Sequence, residues 1–192
     1  MAIVGCDLKF GRTEACKSNV GGLRNMYVAN FSAGMYDEFL EADKDLDLIS
    51  ALVTPIDVYK FELRGENNTF DESNEISRDN GTSFWTQTAN IVVKKQDNLT
   101  QVQLKLLSYG RPHIILEDYN GNFRILGAQN GCEVAVSSST GGAMGDLNGY
   151  TMAIEGKELS MAYFVDPDIV VAGALTGYDV QTAVLSDGVL VP

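Results

Sequence analysis

The chain has 192 residues, 45% of them apolar and 21% charged, with 26 acids against 14 bases and a formal net charge of -12. That length and composition fit one domain with a substantial core, or a domain plus an arm, and exclude a disordered chain. The acidity argues against a protein that grips phosphate backbones through clustered Lys and Arg. An acidic surface instead keeps a chain soluble, or repels nucleic acid from a wall that it must slide past.

Residues 1–22 mix charge, Gly and two Cys, and are expected to form an arm or an edge strand. The first nine residues have neither a basic leader nor a long apolar run, so no secretory signal is expected there. No stretch is long and apolar enough to predict a bilayer span. Cys6, Cys16 and Cys132 are odd in number and lack paired spacing, which predicts free thiols rather than a disulfide framework or a Cys₄ zinc site.

Leu23 to Phe31 is apolar on both parities and predicts a strand. Asp37 to Asp47 holds six acids against Lys44, a run expected to be a solvated face. From Val58 to Arg64 the chain alternates: Tyr59, Phe61 and Leu63 point one way, and Lys60, Glu62 and Arg64 the other. Residues 65–82 have little periodicity and are expected to be a long loop anchored by Phe70 and Ile76, of the kind that usually carries function.

Phe84 to Lys95 predicts a strand with Trp85, Ala89, Ile91 and Val93 on its buried face. Asp97 or Asn98 can cap a helix over about residues 99–108, with Leu99, Val102, Leu106 and Leu107 inward and Gln101, Gln103 and Lys105 outward. Gly110 and Pro112 stop it. His113 to Tyr119 and Asn122 to Ala128 flank Asn120-Gly121, which predicts a hairpin with a type I′ turn. A strand is expected near Cys132 to Val136, a small-residue loop over Ser137 to Gly145, and a last clear strand around Tyr150 to Glu155. After Lys157 no Lys or Arg occurs, and the end is expected to be extra strands or an arm.

Chemistry is sparse. His113 stands alone and is expected to make a structural hydrogen bond. Asp118 to Asn122 begins like a calcium loop, but Phe123 and Gln129 occupy the positions that need Gly and Glu. Gly141 to Gly145 lacks the Lys and Ser/Thr of a phosphate loop, and Ser137 to Ser139 form no nucleophile elbow. No catalytic group, metal ligand or cofactor site is expected.

Several phrases carry a resemblance: Phe61-Glu62-Leu63-Arg64-Gly65 with Phe70; Ser77 to Thr82; Leu106 to His113; Glu117 to Asn122; and Ala143 to Thr151. Over residues 20–160 the chain resembles virion structural proteins of phages of Bacteroidetes, including the crAss-like phages. The resemblance implies a mainly β (α+β) fold of the tail-tube type: a sandwich or barrel, one flanking helix, and a long loop or hairpin that joins the neighbour's sheet. From the resemblance and, at the two ends that it does not cover, from composition, the chain is expected to divide into an arm or edge strand (1–22), a β-rich domain (23–160) with an inter-subunit loop (65–82), and a C-terminal arm or extra strands (161–192).

The implied function is that of a structural subunit of a head–tail junction ring or a tail tube, with no catalysis and no cofactor. It would be assembled in the host cytoplasm and resident in the virion. Its partners would be further copies in a ring and the neighbouring ring, portal or tail proteins. DNA would pass through the channel without specific binding, and no membrane would be involved. Phe70, Glu72, Ile76, Arg78 and Tyr178 are the residues expected to touch neighbouring subunits. The alternative is a β-sandwich module that binds a glycan or a host surface, marked by exposed aromatics such as Trp85, although the parity of Trp85 favours the core.

Overall fold

The computed structural model describes residues 11–13, 16–36, 47–49 and 57–167, with the backbone alone at 56, 178–181, 184–186 and 189–191. Among them lie thirteen strands and one helix. In chain order these are β1 (Leu23–Ala29), β2 (Leu48–Ile49), β3 (Ile56–Glu62), β4 (Thr69–Ser77), β5 (Thr82–Lys94), α1 (Asn98–Leu107), β6 (His113–Asp118) and β7 (Phe123–Leu126). There follow β8 (Cys132–Ser139), β9 (Gly149–Glu158), β10 (Tyr163–Val165), β11 (Tyr178–Gln181), β12 (Val184–Ser186) and β13 (Val189–Val191).

The strands form a seven-stranded sheet, in the order β11-β3-β1-β6-β7-β10-β2, and a four-stranded sheet, β4-β5-β9-β8. Strands β12 and β13 pair only with each other. The pairing is antiparallel except for β11 on β3 and β10 on β2. The fold is therefore mainly β with one short helix, as the sequence predicts.

Two cores explain the hydrophobic pattern. Met26, Val28, Ile114, Leu116 and Leu126 of the larger sheet face Ala89, Ile91, Val134, Met152 and Ile154 of the smaller one, with Leu104 of α1 in the same cluster. On its opposite side the larger sheet buries Tyr27, Ala29, Ile115, Phe123 and Ile125 with Tyr36, Ile49, Tyr163 and Val165. Strands β1 and β6 are thus covered on both faces, which is why Leu23 to Ala29 and Ile114 to Leu116 are apolar on both parities.

The structure corrects four expectations. Most of residues 65–82 is strand rather than loop. Strand β4 pairs residue for residue with β5, from Thr69 opposite Asn90 to Ser77 opposite Thr82, leaving a short turn at the tip. Its polar sequence, Asp71 to Glu75, is that of an edge strand, where charge discourages unwanted pairing. Ser137 to Ser139 belong to β8 rather than to a loop. There the chain pairs through its backbone with Thr151 to Gly149, and small polar side chains suffice.

The Asn120-Gly121 turn is not of type I′, because Asn120 keeps a negative φ and only Gly121 is left-handed, at +80°. The Asp118 carboxylate imposes this shape, accepting from the backbone N–H groups of Asn120 (2.8 Å) and Asn122 (2.9 Å) and from Asn122 Nδ2 (2.8 Å). Three donors on that carboxylate also hold its pKa below the usual aspartate range, even against the opposing effect of burial. Finally, α1 buries Leu104, while Val102 and Leu106 are exposed. The cap is Asp97, which accepts from Thr100 N at 2.8 Å and Thr100 Oγ1 at 2.6 Å.

The chain ahead of β1 forms no strand over residues 16–22. Asn120 ties it to the hairpin through Val20 N (3.0 Å) and Val20 O (2.7 Å). The acidic run lies outside the described residues except for Asp47. Past residue 160 the chain supplies strands: β10 joins β7, and β11 lies beside β3.

Candidate assembly surface

The five residues expected to touch neighbours divide sharply. Glu72 is used within the subunit. Its carboxylate accepts from Ala162 N at 2.6 Å and lies 3.8 Å from the Arg124 guanidinium. Burial pushes its pKa up, against the backbone hydrogen bond and Arg124, which pull it down. Phe70 is half-buried against the sandwich core, with Arg124 5.9 Å from its ring. These two residues fasten the hairpin base within the subunit. Ile76 (74% exposed) and Arg78 lie at the free end of the hairpin and remain available. The backbone of Tyr178 pairs with Ile56 in β11, and its side chain lies outside the described residues.

Arg124 is the residue that sequence reasoning missed. It joins Glu72 to the rings of Phe70 and Phe164, the latter 4.5 Å away. A base in the middle of an otherwise apolar strand, Phe123-Arg124-Ile125-Leu126, was the available signal.

His113 is fully buried and makes the expected structural bonds. Nε2 accepts from Ser32 N at 3.3 Å, so Nδ1 carries the proton and donates to Gly127 O at 2.7 Å. The ring stacks on Phe31 and meets Tyr36 edge-on, both with centroids 5.1 Å away. Burial lowers its pKa and keeps it neutral. Gly127, at φ +65°, is required here, because a Cβ would lie 2.5 Å from the Gly131 carbonyl carbon. Glu158 is equally committed: it accepts from Gln129 N (3.0 Å) and Asn130 N (2.8 Å), and burial raises its pKa. Glu117 accepts from Asn25 Nδ2 (2.5 Å) and Tyr27 Oη (3.0 Å). Each of these groups has a structural partner.

The Gly141 to Gly145 loop is closed by Asp146, which accepts from Gly142 N (2.8 Å) and Ala143 N (2.7 Å). Among the described residues no group of three or more His, Cys, Asp or Glu is placed to hold a metal ion. Among them, too, no helix is long and apolar enough to cross a membrane. Trp85 is half-buried, opposite Asn74 and Glu158 on neighbouring strands.

What remains open is the outer face and the two edges of the four-stranded sheet. The register sets Asp71, Thr88, Glu155 and Glu133 in one row across all four strands. The next row runs Ser73, Thr86 and Lys157. The face is built mostly of Thr, Ser, Ala, Asn and acids, with Phe84 and Val92 half-buried on it, and Lys157 is held 3.2 Å from Glu155. Glu75 accepts from Thr86 Oγ1 at 2.7 Å. Glu133 and Glu155 stand directly opposite each other, an arrangement that costs stability in a lone sheet. The edge strands β4 and β8 are nine and eight residues long, so each would match the other if copies met edge to edge.

Compared with known proteins, the chain matches no family model, no curated protein and no solved structure.

Proposed function

We propose that the chain is a structural subunit of a phage head–tail junction ring or tail tube. Copies join head to tail, the β4 edge of one on the β8 edge of the next, and close around a channel for the genome. The row Asp71, Thr88, Glu155 and Glu133 carries this reading. It would put a polar, acidic wall around the lumen, where negative charge keeps DNA from sticking. Edge-to-edge closure would also remove two sheet edges that a single copy leaves open. The mainly β fold with one short helix supports the reading at the level of fold class, with no barrel closed among the described residues of a single copy, and the hairpin tip at Ile76 and Arg78 would reach the neighbour.

The test is negative-stain imaging of the purified chain together with its mass in solution. Closed rings or stacked tubes with a central hole are expected. Rings whose inner wall maps to the larger sheet, or a strict monomer even in the presence of the neighbouring virion proteins, would overturn the proposal.

A further inference from the structure

Between Glu62 and Thr69 the chain crosses from the larger sheet to the smaller one. Thr69 stands opposite Asn90, so Ile91 to Lys94 of β5 run on past the start of β4, paired with β9 alone among the described strands. There the Asn68 side chain takes the place of a strand, its Oδ1 accepting from Val92 N at 2.8 Å. That bond identifies the oxygen arm of the amide and leaves Nδ2 as the other, a donor. Asn68 is 3% exposed, and its Nδ2 has no acceptor among the described residues. A buried donor in that state is costly, and it marks a place where a further acceptor fits.

Asn68 lines a depression of about 260 Å³ with Arg64, Glu66, Val92 and Lys94. Gly65, at φ +115°, leaves room in its wall for the Lys94 ammonium, which would lie 3.1 Å from a Cβ at this position. Lys94 is in no ion pair with a described residue. Arg64 shares its charge with Glu62, 2.9 Å away. Arg64 and Gly65 also line a second depression, which carries Arg24 and Lys60. Together the two are lined by four bases and two acids, Glu62 and Glu66, in a chain whose net charge is -12. Positive charge is thus concentrated where the unpartnered donor lies.

We propose that the depression at Asn68 and Lys94 binds a small oxyanion of the phosphate class. The oxygens of such an ion accept hydrogen bonds, which Asn68 Nδ2 and Lys94 Nζ supply, and the Arg64 guanidinium adds charge. Glu66 acts against the ion. The burial of Asn68 selects a free ion, because a phosphate held in a duplex stays at the protein surface. The site does not rest on ring closure.

Thermal unfolding of the full chain in sodium phosphate and in sodium chloride, at equal pH and ionic strength, tests it. The parent chain should melt higher in phosphate, with a gain that follows a single-site saturation curve. Asn68→Asp keeps an acceptor for Val92 N and replaces the donor with an anionic oxygen. Lys94→Gln removes a charge at an exposed position, and it decides the matter if Asn68→Asp does not fold. Each should weaken the phosphate affinity at least about tenfold, whatever it does to the melting point in chloride. Lys105→Gln, on the exposed side of α1, should leave that affinity as in the parent. A gain that is equal in chloride, or that never saturates, overturns the proposal. Parent-like affinity in Lys94→Gln, or in a folded Asn68→Asp, places the ion elsewhere and overturns it too. A short DNA duplex at the same phosphate concentration should give no such gain. If it does, the cations serve a nucleic-acid backbone and the small-ion site is wrong.

Discussion

The two sheets of the sandwich solve different problems. The larger sheet is buried on both sides at its centre, where apolar residues of both parities meet a few buried polar groups (Asn25, His113 and Glu117). The smaller sheet buries one face and leaves the other largely polar, including the opposed pair Glu133 and Glu155. The first sheet is built for stability. The second retains a surface that stability by itself does not favour, and such a surface is where function is to be sought.

The largest effect that would sharpen this contrast is in the larger sheet. Ile115→Ala should cost about 2–5 kcal/mol, because Ile115 is fully buried in the second core, a cluster to which five other strands and Tyr36 contribute. Thr88→Ala, on the wet face of the smaller sheet, should shift stability by no more than about 0.5 kcal/mol. Urea unfolding of both variants checks the difference, and equal costs would break the comparison.

Next in size is the strut between the sheets. Glu72→Ala leaves Ala162 N–H without its acceptor and Arg124 without its carboxylate, and should cost about 1–3 kcal/mol. Glu72→Gln keeps an acceptor for Ala162 and removes a charge that burial disfavours, so it should cost less. A glutamine variant as damaged as the alanine variant would show that the charge on Arg124, not the hydrogen bond, fastens the hairpin.

A smaller effect depends on pH. The folded state holds the pKa of His113 below its ordinary value, chiefly through burial. Below about 6.5 the unfolded chain takes up a proton that the folded chain refuses, so stability present above that pH is lost as pH falls. Urea midpoints measured from pH 7 down to pH 5 should fall in the parent chain, and the part due to this group should vanish in His113→Gln. Glu72 and Glu158 act in the opposite sense. Their raised pKa values mean that the folded state binds protons more readily, so lowering the pH relieves buried charge. A His113→Gln chain with an unchanged acid slope would assign the slope to other groups.

Local signals in the sequence were mostly sufficient where one residue dictates one geometry. Asp97 at the helix start, Pro112 beyond its end and the alternating parity of β5 placed their elements correctly. The sequence was less informative where neighbours decide. Asp71 to Glu75 has no apolar period because an edge strand facing water needs none, so β4 resembled a loop until β5 paired with it. Apolar spacing on α1 singled out Leu99, Val102, Leu106 and Leu107; Leu107 does pack against the core, but Leu104 is the residue buried there, and Val102 and Leu106 are exposed. Spacing alone cannot say which of two apolar stripes faces the sheet. Of the candidate surface, Ile76 was expected to anchor a loop and instead lies 74% exposed near the tip of the hairpin. The acidic row was not legible, because its four members come from four strands and meet only through register.

The smallest expected effect bears most directly on function, because stability and passage of DNA pull it in opposite directions. Glu133→Lys replaces a like-charge cross-strand pair with an opposite-charge pair on Glu155. In the isolated subunit it should raise stability by about 0.2–1 kcal/mol. The same change would give each subunit of a ring a base on the proposed channel wall. Assembled rings of the variant should then retain DNA at low salt, and parent rings should not, with the retention lost as salt rises. A gain in stability with no retention would move the acidic face away from the channel while leaving the two-sheet contrast intact. A loss of stability would mean that Glu133 makes a favourable contact on this face, and the acidic row would no longer mark a surface kept for another purpose.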